Sequence, residues 1–130
     1  MPNHLFNQFT GNGASATTPF LTDRAGDVLT YGGLWEGVGK LARVLVDVGV
    51  RPGDRVAVQV EKTPVALMLY LACIKAGAAF LPLNSAYTPT EVGYFLADAE
   101  PALFVCDPAR KEALAEAVAD ARVAAVETLD

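Results

Sequence analysis

Few residues in this chain could do chemistry, and their spacing narrows what that chemistry is. The single histidine, His4, stands near the amino end, ahead of any apolar periodicity. A general base has to be held within hydrogen-bond reach of its substrate, so this imidazole reads as a solvated side chain. Cys73 and Cys106 lie 33 residues apart with no histidine nearby. A structural zinc site takes four such ligands at close spacing. No metal site is therefore expected, and the pair reads as two reduced, partly buried thiols of a cytoplasmic protein. Asp98 and Glu100 could form a hydrolytic carboxylate pair, but they fall at a helix end just before Pro101, where exposed carboxylates are the ordinary finding. Arg110 and Lys111 are the one adjacent basic pair. They fall in the first turn of an expected helix, where cations oppose the helix dipole, so a phosphate is a partner they could take.

Phosphate-binding and nucleophile motifs are missing. No stretch reads G-x-x-x-x-G-K-[ST], none reads G-x-G-x-x-G between a strand and a helix, and G-x-S-x-G is absent. Gly37-Val38-Gly39 falls inside an expected helix, where it cannot cradle a phosphate. No catalytic residue is assigned within this span.

Composition narrows the class further. Of the 130 residues 52% are apolar and 19% charged, which argues for a packed domain and against disorder. A chain of this size buries roughly two-thirds of its unfolded surface, enough for one core. Ten basic against fifteen acidic residues give a net charge of -5, so no nucleic-acid partner is expected, because counterion release needs clustered Lys and Arg. The longest apolar run, residues 64–74, is 11 residues long. A membrane span needs about 20. The start of the chain has no basic stretch followed by an apolar one, so no secretory signal is read. The expected location is the cytoplasm.

The elements that must position these residues follow from caps and periodicity. Residues 1–18 are expected to be loosely ordered, with Gly11-Asn12-Gly13 as a turn signal. Residues 19–22 and 28–31 bracket Asp23-Arg24-Ala25-Gly26-Asp27 as a hairpin. Thr30 can cap a helix over 33–48 whose apolar face is Leu34, Val38, Leu41, Ala42, Leu45 and Val48, with Gly49 as its stop. Gly37 and Gly39 inside it each cost about 1 kcal/mol relative to Ala, which close packing would explain. A strand over 55–60 leads to Thr63-Pro64, cap and first position of a helix ending at Gly77. A strand over 79–83 is followed by the capping box Thr88-Pro89-Thr90-Glu91 and a helix to about residue 99. A strand over 103–106, a helix from Asp107-Pro108 to about residue 120 and a strand over 123–127 complete the series.

This alternation defines an α/β fold: an N-terminal hairpin, then helices and strands forming a mainly parallel sheet with helices on its faces. Ligands on such sheets bind at the carboxyl ends of the strands. Here those ends are the loops Glu61-Lys62-Thr63, 84–88 and 107–110. The helix over 65–74 is apolar on every side, whereas a surface helix shows one apolar stripe. It therefore expects cover on its outer face, from a self-partner or from further protein.

From Thr30 to Pro108 the motifs resemble the start of the adenylate-forming acyl-CoA synthetases. The markers are Leu29-Thr30-Tyr31, Gly49-Val50-Arg51-Pro52-Gly53-Asp54-Arg55-Val56-Ala57, Ala76-Gly77-Ala78-Ala79-Phe80-Leu81-Pro82-Leu83-Asn84 and Thr88-Pro89-Thr90-Glu91. Gln59-Val60-Glu61-Lys62, Leu69-Tyr70-Leu71-Ala72, Leu81 through Thr88 and Asp98-Ala99-Glu100-Pro101 are closest to the malonyl-CoA synthetase branch.

The resemblance implies that residues 1–130 are the first part of the large N-terminal domain of such an enzyme. It implies a parent that uses ATP, Mg²⁺ and coenzyme A to convert malonate or a related carboxylate into an acyl-adenylate and then a thioester. The family's phosphate loop, its magnesium-holding Glu, its ribose Asp and its adenylation Lys have no counterpart in this span, so the segment alone is expected to be inactive. Arg110 and Lys111 match, by resemblance, basic residues that contact the 3′-phosphate of coenzyme A in some relatives. The rival expectation is a stand-alone, truncated α/β binding or assembly module with a partner over the 65–74 helix.

Overall fold

A computed structural model describes residues 3–11 and 15–129. In chain order the elements are α1 (His4–Thr10), β1 (Pro19–Thr22), β2 (Val28–Thr30), α2 (Tyr31–Asp47), β3 (Arg55–Gln59), α3 (Pro64–Ala76), β4 (Ala79–Pro82), α4 (Pro89–Ala99), β5 (Leu103–Cys106), a 3₁₀ turn (Pro108–Arg110), α5 (Lys111–Asp120) and β6 (Val126–Thr128).

Local chemistry accounts for most of the boundaries. The Thr30, Thr63 and Thr88 side chains accept from the amides of Gly33, Ala66 and Glu91, satisfying donors that a helix start leaves free. Gly77 ends α3 in the left-handed conformation, at φ 75°, which a Cβ would disfavour. In the β1–β2 hairpin the Asp23 carboxylate accepts from the amides of Ala25 and Asp27, both at 2.9 Å.

The mainly parallel α/β expectation holds. β1 and β2 pair antiparallel, and a separate parallel sheet runs in the order β4-β3-β5-β6. Side chains alternate across a strand, and each face of this sheet meets a helical layer. Val56, Val58, Leu103 and Val105 pack with α2 and α3, through Leu34, Val38, Leu45, Leu69 and Ala72. Ala57, Phe104 and Cys106 face the other way, against Val92, Leu96 and Leu114 of α4 and α5. After β3 the chain adds β4 on one side, then returns to place β5 on the other. Strand order therefore reverses between β3 and β5, and their carboxyl ends open a crevice there.

Three expectations are corrected. The start of the chain is not loose throughout: α1 forms because the Asn3 side chain accepts from the Phe6 amide at 3.0 Å and donates to the Ile74 carbonyl at 2.6 Å. Phe6 also meets Trp35 edge-on at 5.7 Å. Asn12 and Gly13 of the turn signal lie outside the described residues. The helix expected from Asp107-Pro108 opens instead as a 3₁₀ turn, and α5 starts only at Lys111. The last strand begins at Val126, because Arg122 adopts φ 58° and Val123 turns in against the α4–α5 layer. The apolar α3 is covered by α2 along one side and by α1 near its carboxyl end, while Tyr70 stays exposed. Among the described residues no helix is long and apolar enough to cross a membrane.

Candidate functional site

At the crevice three loops meet. The Glu61 amide, just past β3, donates to Asp107 Oδ2, just past β5, at 3.2 Å, tying the two strand ends together. The third loop, 84–88, joins β4 to α4. Its Asn84 side chain accepts from the Ala86 amide at 2.9 Å, and the Tyr87 amide donates to the Asn84 carbonyl at 3.0 Å. The Tyr87 ring stacks on Phe95 of α4, with centroids 5.0 Å apart and planes 16° from parallel.

Two side chains from other elements hold this loop. Gln59, the last residue of β3, is 2% exposed. Its Nε2 donates to the carbonyls of Asn84 at 2.9 Å and Tyr87 at 3.4 Å. Arg110, the last residue of the 3₁₀ turn, donates from Nη1 to the Ser85 carbonyl at 3.2 Å and from Nη2 to the Tyr87 carbonyl at 3.3 Å. Beside the loop, a cleft of about 720 Å³ runs between the start of α3 and the end of β4, lined by Val60, Lys62, Thr63, Leu67, Phe80 and Asn84 among others.

The electrostatics of the crevice are mixed. Burial pushes the Cys106 thiol up and Asp107 adds to that, while Lys111 and Arg110 pull in the opposite direction. Among the described residues the only ion pair within 4.0 Å is Lys40–Glu36 on α2, so no carboxylate neutralises Arg110 at that distance. A guanidinium has five N–H donors. With neutral carbonyls as its partners, Arg110 can still receive an anion.

The other candidate residues are placed elsewhere. Lys111 is exposed at the start of α5. His4 sits beside Gly77 and Ala78, at the amino end of the sheet. Asp98 and Glu100 lie at the carboxyl end of α4, where Arg55 donates to the Ala99 carbonyl at 2.9 Å, again away from the crevice. Cys73 and Cys106 are both free and buried. Among the described residues no group of three or more His, Cys, Asp or Glu is placed to hold a metal ion. In the sequence Gln59 stands only as part of the run Gln59-Val60-Glu61-Lys62, with no site role assigned to it. The physical signal for such a role is a polar residue closing the run Arg55-Val56-Ala57-Val58, at a position where a strand buried on both faces expects an apolar side chain.

The fold and the crevice define a doubly wound α/β segment whose strand order reverses where the three loops meet. The AMP-binding enzyme family matches residues 11–130, and the chain belongs to that family. Its fold matches MatB from Rhodopseudomonas palustris, solved both apo and ATP-bound, with a TM-score of 0.91 and 42% identity over 99% of this chain. It is 40% identical over 90 residues to a feruloyl-CoA synthase of Amycolatopsis, covering 69% of this chain and 18% of the relative. It is 35% identical over 114 residues to malpinin synthetase of Mortierella alpina, covering 88% of this chain and 1% of that protein. The chain thus spans about a quarter of MatB and at most 18% of these two curated relatives. A benzoate CoA ligase from Burkholderia xenovorans, at 22% identity and a TM-score of 0.79, shares the fold.

Proposed function

We propose that this chain is the amino-terminal part of an ATP-dependent acyl-CoA synthetase that joins malonate or a related carboxylate to coenzyme A. The observation that carries the proposal is the 42% identity to ATP-bound MatB across 99% of the chain. The malonyl-CoA synthetase-like runs at 59–62 and 81–88 support the choice of acid, and the similarity to a feruloyl-CoA synthase supports the class of product.

The chemistry is two displacements. The carboxylate attacks the α-phosphorus of ATP, releasing pyrophosphate and leaving an acyl-adenylate. The thiol of coenzyme A then attacks the acyl carbon, and AMP leaves. Mg²⁺ would neutralise charge on the triphosphate, but the described residues do not fit a magnesium or triphosphate site. They include no three-ligand cluster, and the sequence has no phosphate loop. No activation step is therefore assigned to this chain. Its part is to shape one wall of the site and to offer Arg110, with Lys111 next to it, to a coenzyme A phosphate. The rest of the ligase would cover what α1 and α2 leave exposed on α3.

Measuring AMP tests this directly. The isolated chain with ATP, Mg²⁺, malonate and coenzyme A is expected to release none, and the intact ligase to release AMP only when a carboxylate is supplied. AMP formed by the chain alone would overturn its inactivity. An intact enzyme that ignores malonate and its close analogues would overturn the substrate assignment.

A further inference from the structure

We infer that Gln59 is a positioning residue: from inside the sheet it sets the loop 84–88 and, through the Tyr87 carbonyl, the Arg110 guanidinium. Gln59 is the one buried polar residue of the described chain. It lies at the carboxyl end of β3, in register with Cys106 of β5 and on the face turned to α4 and α5. Its amide nitrogen donates to two loop carbonyls, Asn84 at 2.9 Å and Tyr87 at 3.4 Å. That orientation leaves Oε1 buried without a protein hydrogen-bond partner among the described residues. A buried acceptor left unpaired is costly. A Met of similar length would fill the same space without that cost, so what the amide adds is its hold on the two loop carbonyls.

The loop's own backbone shows what the amide does instead. The carbonyls of Asn84, Ser85 and Tyr87 are taken by side chains of β3 and the 3₁₀ turn. The Tyr87 carbonyl is shared, accepting from Gln59 at 3.4 Å and from Arg110 at 3.3 Å. Gln59 fixes this carbonyl from within, and Arg110 closes on it from the crevice. Moving the carbonyl moves the guanidinium with it. Residues that break a local rule are commonly found where function asks for it, and here the broken rule is an orphaned oxygen.

The test separates loop order from global stability, using Gln59→Met in the chain as it stands. Its urea midpoint should stay close to that of the unsubstituted chain. Hydrogen exchange at the Ala86 and Tyr87 amides should run at least tenfold faster, while the Phe104 amide, which donates to Ala125 in the sheet, keeps its rate. Unchanged exchange at Ala86 and Tyr87 would overturn the inference. So would acceleration that merely tracks Phe104, since that marks a purely structural role. Should Gln59→Met fail to fold, Gln59→Asn, which keeps the amide but draws it back from the two carbonyls by one methylene, decides instead: it must speed the same two amides and spare Phe104, and an unmoved loop sinks the idea.

The bearing on coenzyme A rests on the function proposed above. In the intact ligase, Gln59→Met is expected to raise the KM for coenzyme A severalfold and leave kcat in place. A loosened loop with an unchanged KM would overturn the coenzyme A role of Arg110 and leave the positioning role standing.

Discussion

Burial decides what the two thiols can do. Cys73 is 0% exposed, and burial pushes its pKa from 9.0 up to about 12, because a thiolate loses its hydration there. The unfolded chain releases this proton near the ordinary thiol value, while the folded chain keeps it to far higher pH. Between those two values the folded state binds the extra proton, so stability is full below pH 9 and falls as pH rises, by about 1.4 kcal/mol per pH unit. Urea midpoints measured between pH 8.5 and pH 10.5 should fall more steeply for the unsubstituted chain than for Cys73→Ala. Parallel slopes would contradict this. The sequence revealed two reduced thiols, since spacing excludes a zinc site. Depth of burial depends on which helix faces which strand, and that is not written locally. Gln59 and Arg110 illustrate the same point. Each was visible as a residue type, but the carbonyls they bind lie more than twenty residues away.

Among the elements, those whose cap is joined by a proline at the first helical position were legible. Thr63-Pro64 and Thr88-Pro89-Thr90-Glu91 carry both the acceptor and the preset backbone angle of a first turn, and α3 and α4 start where they say. By contrast α1 has only the Asn3 cap on the Phe6 amide as a local signal, and its anchor is Ile74, far along the chain. The two glycines inside α2 looked alike in sequence, and the structure separates them. A Cβ on Gly37 would run into Met68 Sδ of α3, whereas one on Gly39 would meet nothing nearer than Lys75 Nζ at 3.9 Å. Gly39→Ala should therefore stabilise the chain by about 0.5–1 kcal/mol through helix propensity. Gly37→Ala should lose that gain or reverse it, because overpacking a tight contact costs about 1–3 kcal/mol. Thermal unfolding of the two variants side by side checks this, and equal stabilisation would show that α2 and α3 do not need their close approach.

At the scale of the molecule, alternation of elements gave the parallel sheet, but not the order of its strands. Period-2 burial says which residues share a face, while the return of the chain past β3 to form β5 is a tertiary choice, and it is what places the crevice. That same order makes β5 the common support of both layers. Phe104 points to α4 and α5, while Leu103 and Val105 point to α2 and α3, and the strand pairs with both β3 and β6. Phe104 is 0% exposed, so Phe104→Ala should cost about 3–5 kcal/mol, a large share of the about 5–15 kcal/mol typical of a domain. The single tryptophan, Trp35, sits on α2 in the opposite layer, against Phe6. If the sheet couples the layers into one cooperative unit, the substitution must lower the urea midpoint seen by Trp35 fluorescence as far as that seen by far-UV circular dichroism. A tryptophan midpoint that holds while the circular dichroism midpoint falls would mean that the layers melt apart. The crevice between β3 and β5, which both layers frame, would then be set by each layer separately and not by the sheet as a whole.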